Sequence, residues 1–202
     1  MDSEKFSVLS FLYRNFSNVR LMKIRVTPEN IVSVLNAAEV EKNFSILNLD
    51  IDSYDLHVMK AILSEGYRPK IISMEINEKI PLGIHFTVDY DINHYWKGDH
   101  FYGCSIKAAY NTIIPYGYIL YKVEYNNAFF VDSSHAAFHS IHLSAEDAFV
   151  EGYMHKKDRK TLFPWNRDVD YWHDLATKEA VIEIEKKFSK YKGQFTLFET
   201  EK

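Results

Sequence analysis

No glycine occurs before Gly66 in this 202-residue chain, and only seven are present in all. A glycine-rich nucleotide loop therefore cannot form anywhere in the first third of the molecule. There is one cysteine, Cys104, which excludes an internal disulfide and any CxxC metal site and suits a reducing compartment. No uninterrupted apolar run approaches the ~20 residues that a membrane span needs. The first twenty residues also lack the charged-then-apolar layout of a secretory leader. A basic excess is missing too: net charge is −4 overall, with −5 over residues 1–150 and +1 over residues 151–202, which argues against a nucleic-acid binder. These absences describe a soluble, cytoplasmic chain with neither membrane nor nucleic-acid partners.

Hydrophobic residues make up 47% of the sequence, with 14 Tyr and 14 Phe, so the chain is globular and large enough for a sizeable core. Residues 3–16 place Phe6, Leu9, Tyr13 and Phe16 at helical spacing, with Asp2 or Ser3 as cap. Residues 19–26, VRLMKIRV, alternate apolar and basic side chains and predict a strand. Pro28 suits the first turn of a helix over 28–39. Strands are expected over 44–51 and 70–76, with a helix over 54–63 between them. This alternation predicts an α/β fold with a Rossmann-like, mostly parallel sheet and helices on both faces. Residues 77–98 show no clear period and read as a long functional loop.

A helix is expected over 105–114. Strands at 118–124 and 128–131 flank Tyr125, Asn126 and Asn127, predicting an antiparallel hairpin. A short helix follows over 144–153, then a charged turn at 155–160 and a well-formed helix over 174–191 with Val181, Ile184, Phe188 and Tyr191 in one stripe. Residues 1–132 are thus expected to form the core and residues 133–202 a helical extension packed on the same domain.

Chemistry concentrates where strands end. Asp50 and Asp52 close one strand, and Glu75 and Asn77 close the next, at the edge where open α/β sheets bind ligands. The alternative role for Asp52 or Ser53 is to cap the following helix, with Asp55 favouring its first turn. Asp50, Asp52 and Glu75 also carry oxygen ligands suited to Mg²⁺ or Ca²⁺. Asp99, His100, Tyr102, Gly103 and Ser105 lie between a loop and a helix start, with His100 a candidate general base and Ser105 a candidate N-cap. His135, His139 and His142 have spacing compatible with zinc on one helix face, yet an apolar core pattern surrounds them. Trp165 and Trp172 sit in an aromatic–charged segment that reads as a cover over the sheet or a subunit contact. Cys104 has no matched base and is not expected to be a nucleophile.

Four segments, ILNLDIDSYD at 46–55, PKIISMEIN at 69–77, YWKGDHFYGCSIKAA at 95–109 and KVEYNNAFFVDS at 122–133, resemble in order those of FkbM-type class I S-adenosylmethionine-dependent methyltransferases. Ser53 stands where that family usually has glycine, and the family's first strand and G-x-G loop are absent. The resemblance implies S-adenosylmethionine as cofactor near Asp50, Asp52, Glu75 and Asn77. It also implies a hydroxyl of a small molecule or sugar as acceptor near Asp99, Tyr102 and Ser105, with His100 or Asp52 taking the proton. A metal is not implied. Three readings follow: a divergent O-methyltransferase, a catalytically silent binding or assembly module, or a hydrolytic metal site at Asp50, Asp52 and Glu75. Either the neighbours have closed up (the strand at 19–26 moving beside that at 44–51), which is the preferred reading, or a homo-oligomer or partner chain completes the sheet, or the sequence is a truncated product.

Overall fold

The computed structural model describes residues 2–135 and 143–200. In chain order the main elements are α1 (Ser3–Tyr13), α2 (Ile31–Ala37), β1 (Ile46–Leu49), α3 (Asp55–Ser64), β2 (Ile71–Glu75), β3 (Ile84–Val88), α4 (Ile106–Ile113), β4 (Tyr118–Glu124), β5 (Asn127–Asp132), α5 (Ala145–Phe149), α6 (Arg159–Leu162), α7 (Thr177–Lys187) and β6 (Phe195–Glu199). The principal sheet has the order β1-β2-β5-β4. Only β1 and β2 pair in parallel; β5 is antiparallel to both β2 and β4. Three of the four strands consequently run in one direction, and the fold is mixed α/β.

Apolar alternation explains this sheet. Ile72 and Met74 of β2, Phe130 of β5 and Leu120 of β4 are buried and join one core with Val58, Met59, Ile62 and Leu63 of α3 and Ala108, Ala109 and Ile113 of α4. Helix α3 opens on Asp55, whose carboxylate accepts the backbone N–H groups of Ile51 at 2.8 Å and Ser53 at 2.9 Å. The turn after β1 is therefore pinned by a buried side chain from the helix it precedes. Asp52 sits in that turn with φ 52°, a left-handed conformation that Asp tolerates better than most residues.

The expected strand at 19–26 does not form. Those residues have no ladder partner and are largely exposed, with only Val26 packed against the main core, so alternation there buries little of either face. The closing-up of strands is corrected with it: among the described residues nothing pairs with the outer edge of β1, and Ile46 remains 61% exposed. Helix α1 is capped by Asp2 as expected, yet it buries no residue.

Two strands escaped the sequence reading. Within the expected loop at 77–98, β3 pairs antiparallel with β6, which itself lies in the extension expected to be helical. Phe86 and Val88 of β3 pack with Phe101, Trp172, Ile184 and Phe188 in a second core. Residues 103–105 run beside β3: Val88 N–H donates to Gly103 O, and Ser105 N–H to Phe86 O. No helix among the described residues is long and apolar enough to cross a membrane. Helix α5 continues into a wide π-helical turn, Val150–Met154, pressed against β4. A Cβ on Gly152 would lie 2.0 Å from the Val123 carbonyl oxygen. Gly152→Ala is expected to cost roughly 2–4 kcal/mol in a urea unfolding titration, since backbone must move to admit one methyl.

Candidate functional site

The parallel register of β1 and β2 sets Leu49 level with Met74, so Asp50 and Asp52 leave the sheet beside Glu75. Carboxylate oxygens of the three lie within 4.8 Å of one another. Asp52 and Glu75 then line a cleft of about 700 Å³ whose other walls come from distant segments. Residues 96–102 supply Trp96, Asp99, His100 and Tyr102; the hairpin supplies Asn126; and the C-terminal part supplies Phe163, Trp165, Lys187 and Lys190.

Crowded acids cannot all ionise. Burial, then the charges of Asp50, Asp52, Asp55 and Glu78, push the Glu75 carboxyl up to about 8, while burial and Asp50 raise Asp52. Glu75 is thus protonated at neutral pH, with Asn126 Nδ2 donating to its Oε1 at 2.8 Å. It can donate a hydrogen bond where Asp52 can accept one. A divalent cation could share the three oxygens only after displacing that proton.

Beneath this rim lies a buried polar core. Glu78 and Lys79 form an ion pair at 3.2 Å with side chains 0% and 2% exposed. Tyr102 donates its hydroxyl hydrogen to Glu78 at 2.8 Å and accepts one from Lys79 at 2.7 Å. Asn166 Nδ2 completes the set, donating to Glu78 at 2.7 Å. Burial lowers the Lys79 ammonium pKa against the pull of Glu78. Burial likewise drives the Tyr102 phenol well above its ordinary value.

His100 is braced from 68 residues away, its Nε2 lying 2.9 Å from Asp168 Oδ1. Burial would raise Asp168, yet Lys187 and His100 hold its carboxyl below the usual range. The imidazole is pushed down by burial more than Asp168 lifts it. A neutral ring that donates Nε2–H to Asp168 keeps Nδ1 as a free base.

Several expected contacts are corrected. Ser105 is fully buried, and its Oγ accepts Ala108 N–H and Phe86 N–H; it is the N-cap of α4 and does not reach the cleft. Asn77 is also fully buried and latches the His100 and Tyr102 carbonyls, so it shapes the wall from behind. Asp99 reaches the cleft but is held by Lys190 and Tyr191. Asp50 joins the acid group without lining the cleft. Cys104 is buried and its thiol is raised well above the ordinary value, which leaves it unreactive. Trp172 is buried, as a cover would be, whereas Trp165 stands 59% exposed on the cleft wall. Of the histidine trio, His139 and His142 lie outside the described residues.

Glu78, Lys79, Asn126, Asp168, Lys187 and Lys190 were not singled out from sequence. A Glu-Lys pair directly after a strand-end Asn reads as solvated loop, and Asp168 and the two C-terminal lysines carry no local signal of convergence. Among the described residues no glycine lies ahead of β1, and the outer side of β1 has no neighbouring strand.

Two outcomes follow. Glu78→Gln or Lys79→Met alone should cost about 3–5 kcal/mol in denaturant unfolding, because each strands a buried charge. The double variant should cost far less than their sum. Glu75 binds its proton more tightly folded than unfolded, so between the ordinary value near 4.5 and about 8 its contribution to stability falls as pH rises. Glu75→Gln should therefore match the parent chain near pH 5 and exceed it by more than about 1 kcal/mol near pH 9. Equal pH profiles of the melting temperature would refute this. Comparison with protein-family models, with curated proteins and with solved structures finds no match for this chain.

Proposed function

We propose that this chain is a divergent methyltransferase-like protein that keeps the acceptor half of such a site. Its cleft binds a small hydroxyl-bearing molecule, a sugar or similar polyol, and in isolation it acts as a binding module. The observation that carries this reading is the pairing at one rim of Asp52 with a protonated Glu75. A hydroxyl group both donates and accepts, and this pair offers one partner for each. Trp96 and Trp165 lend planar apolar faces to the same cleft, the usual complement to a few placed polar groups. His100, oriented by Asp168, supplies a base beside the bound hydroxyl.

Methyl transfer is the second reading, favoured by the four segments in family order. It requires the cofactor half of the pocket from outside the described residues, for which the edge of β1 left unpaired among those residues is an available attachment. The substrate-binding reading needs no such partner.

Calorimetric titration separates them. The chain alone should bind S-adenosylmethionine and S-adenosylhomocysteine no better than millimolar, while neutral sugars bind weakly and Asp52→Asn and Trp96→Ala each reduce that binding by about tenfold or more. Micromolar binding of S-adenosylhomocysteine would overturn the binding-module reading in favour of the enzyme. Sugar affinity unchanged by either substitution would remove the cleft as the site.

A further inference from the structure

Acidic side chains are absent from residues 5–28, a stretch that carries Lys5, Arg14, Arg20, Lys23 and Arg25. The chain as a whole has a net charge of −4, so these positive charges stand against an acidic remainder. Folding neutralises only part of them. Lys5 lies 3.9 Å from Asp2, and Arg20 pairs with Glu39. Arg14, Lys23 and Arg25 have no acidic partner among the described residues; they donate to the Phe11 carbonyl, the Ser3 hydroxyl and the Ile92 carbonyl.

Exposed apolar surface concentrates in the same segment. Eight of the seventeen large hydrophobic side chains that stay exposed among the described residues lie between Val8 and Ile24, a density that marks an interaction face more than scattered surface apolars do. Within α1 only Phe6 and Ser10, four residues apart, are half-buried, so the helix meets the rest of the chain along one line. Phe11 and Leu12 are left 63% and 60% exposed. Two contacts extend the face: Lys23 fastens residues 22–25 to the start of α1, and Arg25 fastens them to the loop at 92–96. There Ile92, Tyr95 and Trp96 are exposed, and Ile24 lines one recess with Tyr95 and Trp96. Tyr and Trp suit a boundary that is apolar on one side and wet on the other.

Basic side chains interleaved with exposed Phe, Leu, Tyr and Trp match the headgroup and acyl boundary of an anionic bilayer, which takes both at once. A second copy fits less well, because a two-fold contact would set this positive face against itself. Nucleic acid would engage the bases and the rings but would leave Val8, Leu9 and Leu12 in water. That no helix among the described residues is long and apolar enough to cross a membrane concerns spanning, and a helix of eleven residues can lie in the interface plane. We infer that residues 3–25 and the loop at 92–96 form a docking face for an anionic lipid surface, with Phe11 and Leu12 entering the acyl boundary and Arg14, Lys23 and Arg25 meeting the headgroups. This face is separate from the ligand of the cleft.

The test is co-sedimentation of the full chain with vesicles of phosphatidylcholine, alone or with about 30% phosphatidylserine. The anionic vesicles should bind about tenfold tighter or more, and about 1 M salt should abolish most of that gain. Phe11→Ser with Leu12→Ser, and Lys23→Gln with Arg25→Gln, should each weaken binding by about tenfold or more. Ile182→Ser, at a residue of α7 that is 61% exposed, should leave it unchanged. Because α1 buries no residue, the Phe11 and Leu12 variant should melt with the parent chain. Should the Lys23 and Arg25 variant melt earlier, Arg14→Gln supplies the charge comparison. Failure to sediment with anionic vesicles, equal binding to neutral ones, or binding that both double substitutions leave intact overturns the proposal. Without vesicle binding, a dimer in light scattering that Phe11→Ser with Leu12→Ser dissolves assigns the face to a second copy. Binding to a single-stranded RNA oligomer, weakened by the charge substitutions alone, assigns it to nucleic acid; either result overturns the lipid reading.

Discussion

Two short strands lying side by side in the same direction determine most of what this molecule can do. Because Ile46 to Leu49 align with Ile71 to Met74 one for one, whatever follows either strand emerges at the same rim. The sequence places Asp50 and Asp52 after one and Glu75 at the end of the other, so electrostatic repulsion is built in by backbone hydrogen bonding. Burial first, and then repulsion between neighbouring carboxylates, favours retaining a proton, here on Glu75. A one-residue slip of the ladder would send these side chains to the opposite face. The buried Asp55 takes two backbone N–H groups of the turn that follows β1, which fixes the path of the chain past Asp52.

The opposite wall is held by different physics. Glu78 binds Tyr102 from 24 residues away and Asn166 from 88 residues away, so one buried carboxylate ties three chain segments into a single surface. Such an arrangement contributes little net stability compared with an apolar core of equal volume. What it does provide is direction, since each partner has a fixed donor or acceptor role. His100 is fixed in the same manner by Asp168. The cleft therefore combines a rim dictated by the sheet with walls dictated by hydrogen-bond partners distant in sequence.

That division explains how much could be read from residues alone. The strands at β1, β2, β4 and β5 and the helices α3 and α4 were legible because apolar runs and turn residues report local structure directly. The carboxylates Asp50, Asp52 and Glu75 were legible for the same reason, being strand-end residues. Strand β3 was not, since IHFTV pairs with residues 195–199 and nothing near it signals that partner. Residues 19–26 erred in the other direction: their alternation is strand-like, yet they pair with no strand among the described residues and only Val26 packs against the main core. Ser105 and Asn77 carry polar groups suited to a ligand, and only three-dimensional placement reveals that backbone groups use them fully. Lys79 and Asp168 were invisible because their meaning lies entirely in partners remote along the chain.

The pairing of β3 with β6 also has a consequence for the order of assembly. More than a hundred residues separate the two strands, while β1, β2, β4 and β5 are complete by Asp132. On a ribosome the principal sheet can close well before β6 emerges, since nearby pairings carry the smaller loop-closure penalty. Lys187 and Lys190 belong to the segment that leads into β6, and there Phe101 stacks on Tyr191 at 3.9 Å between ring centroids. The acidic rim thus belongs to the part of the fold built from nearby segments, whereas the wall that faces it is supplied by residues more than sixty positions further along the chain.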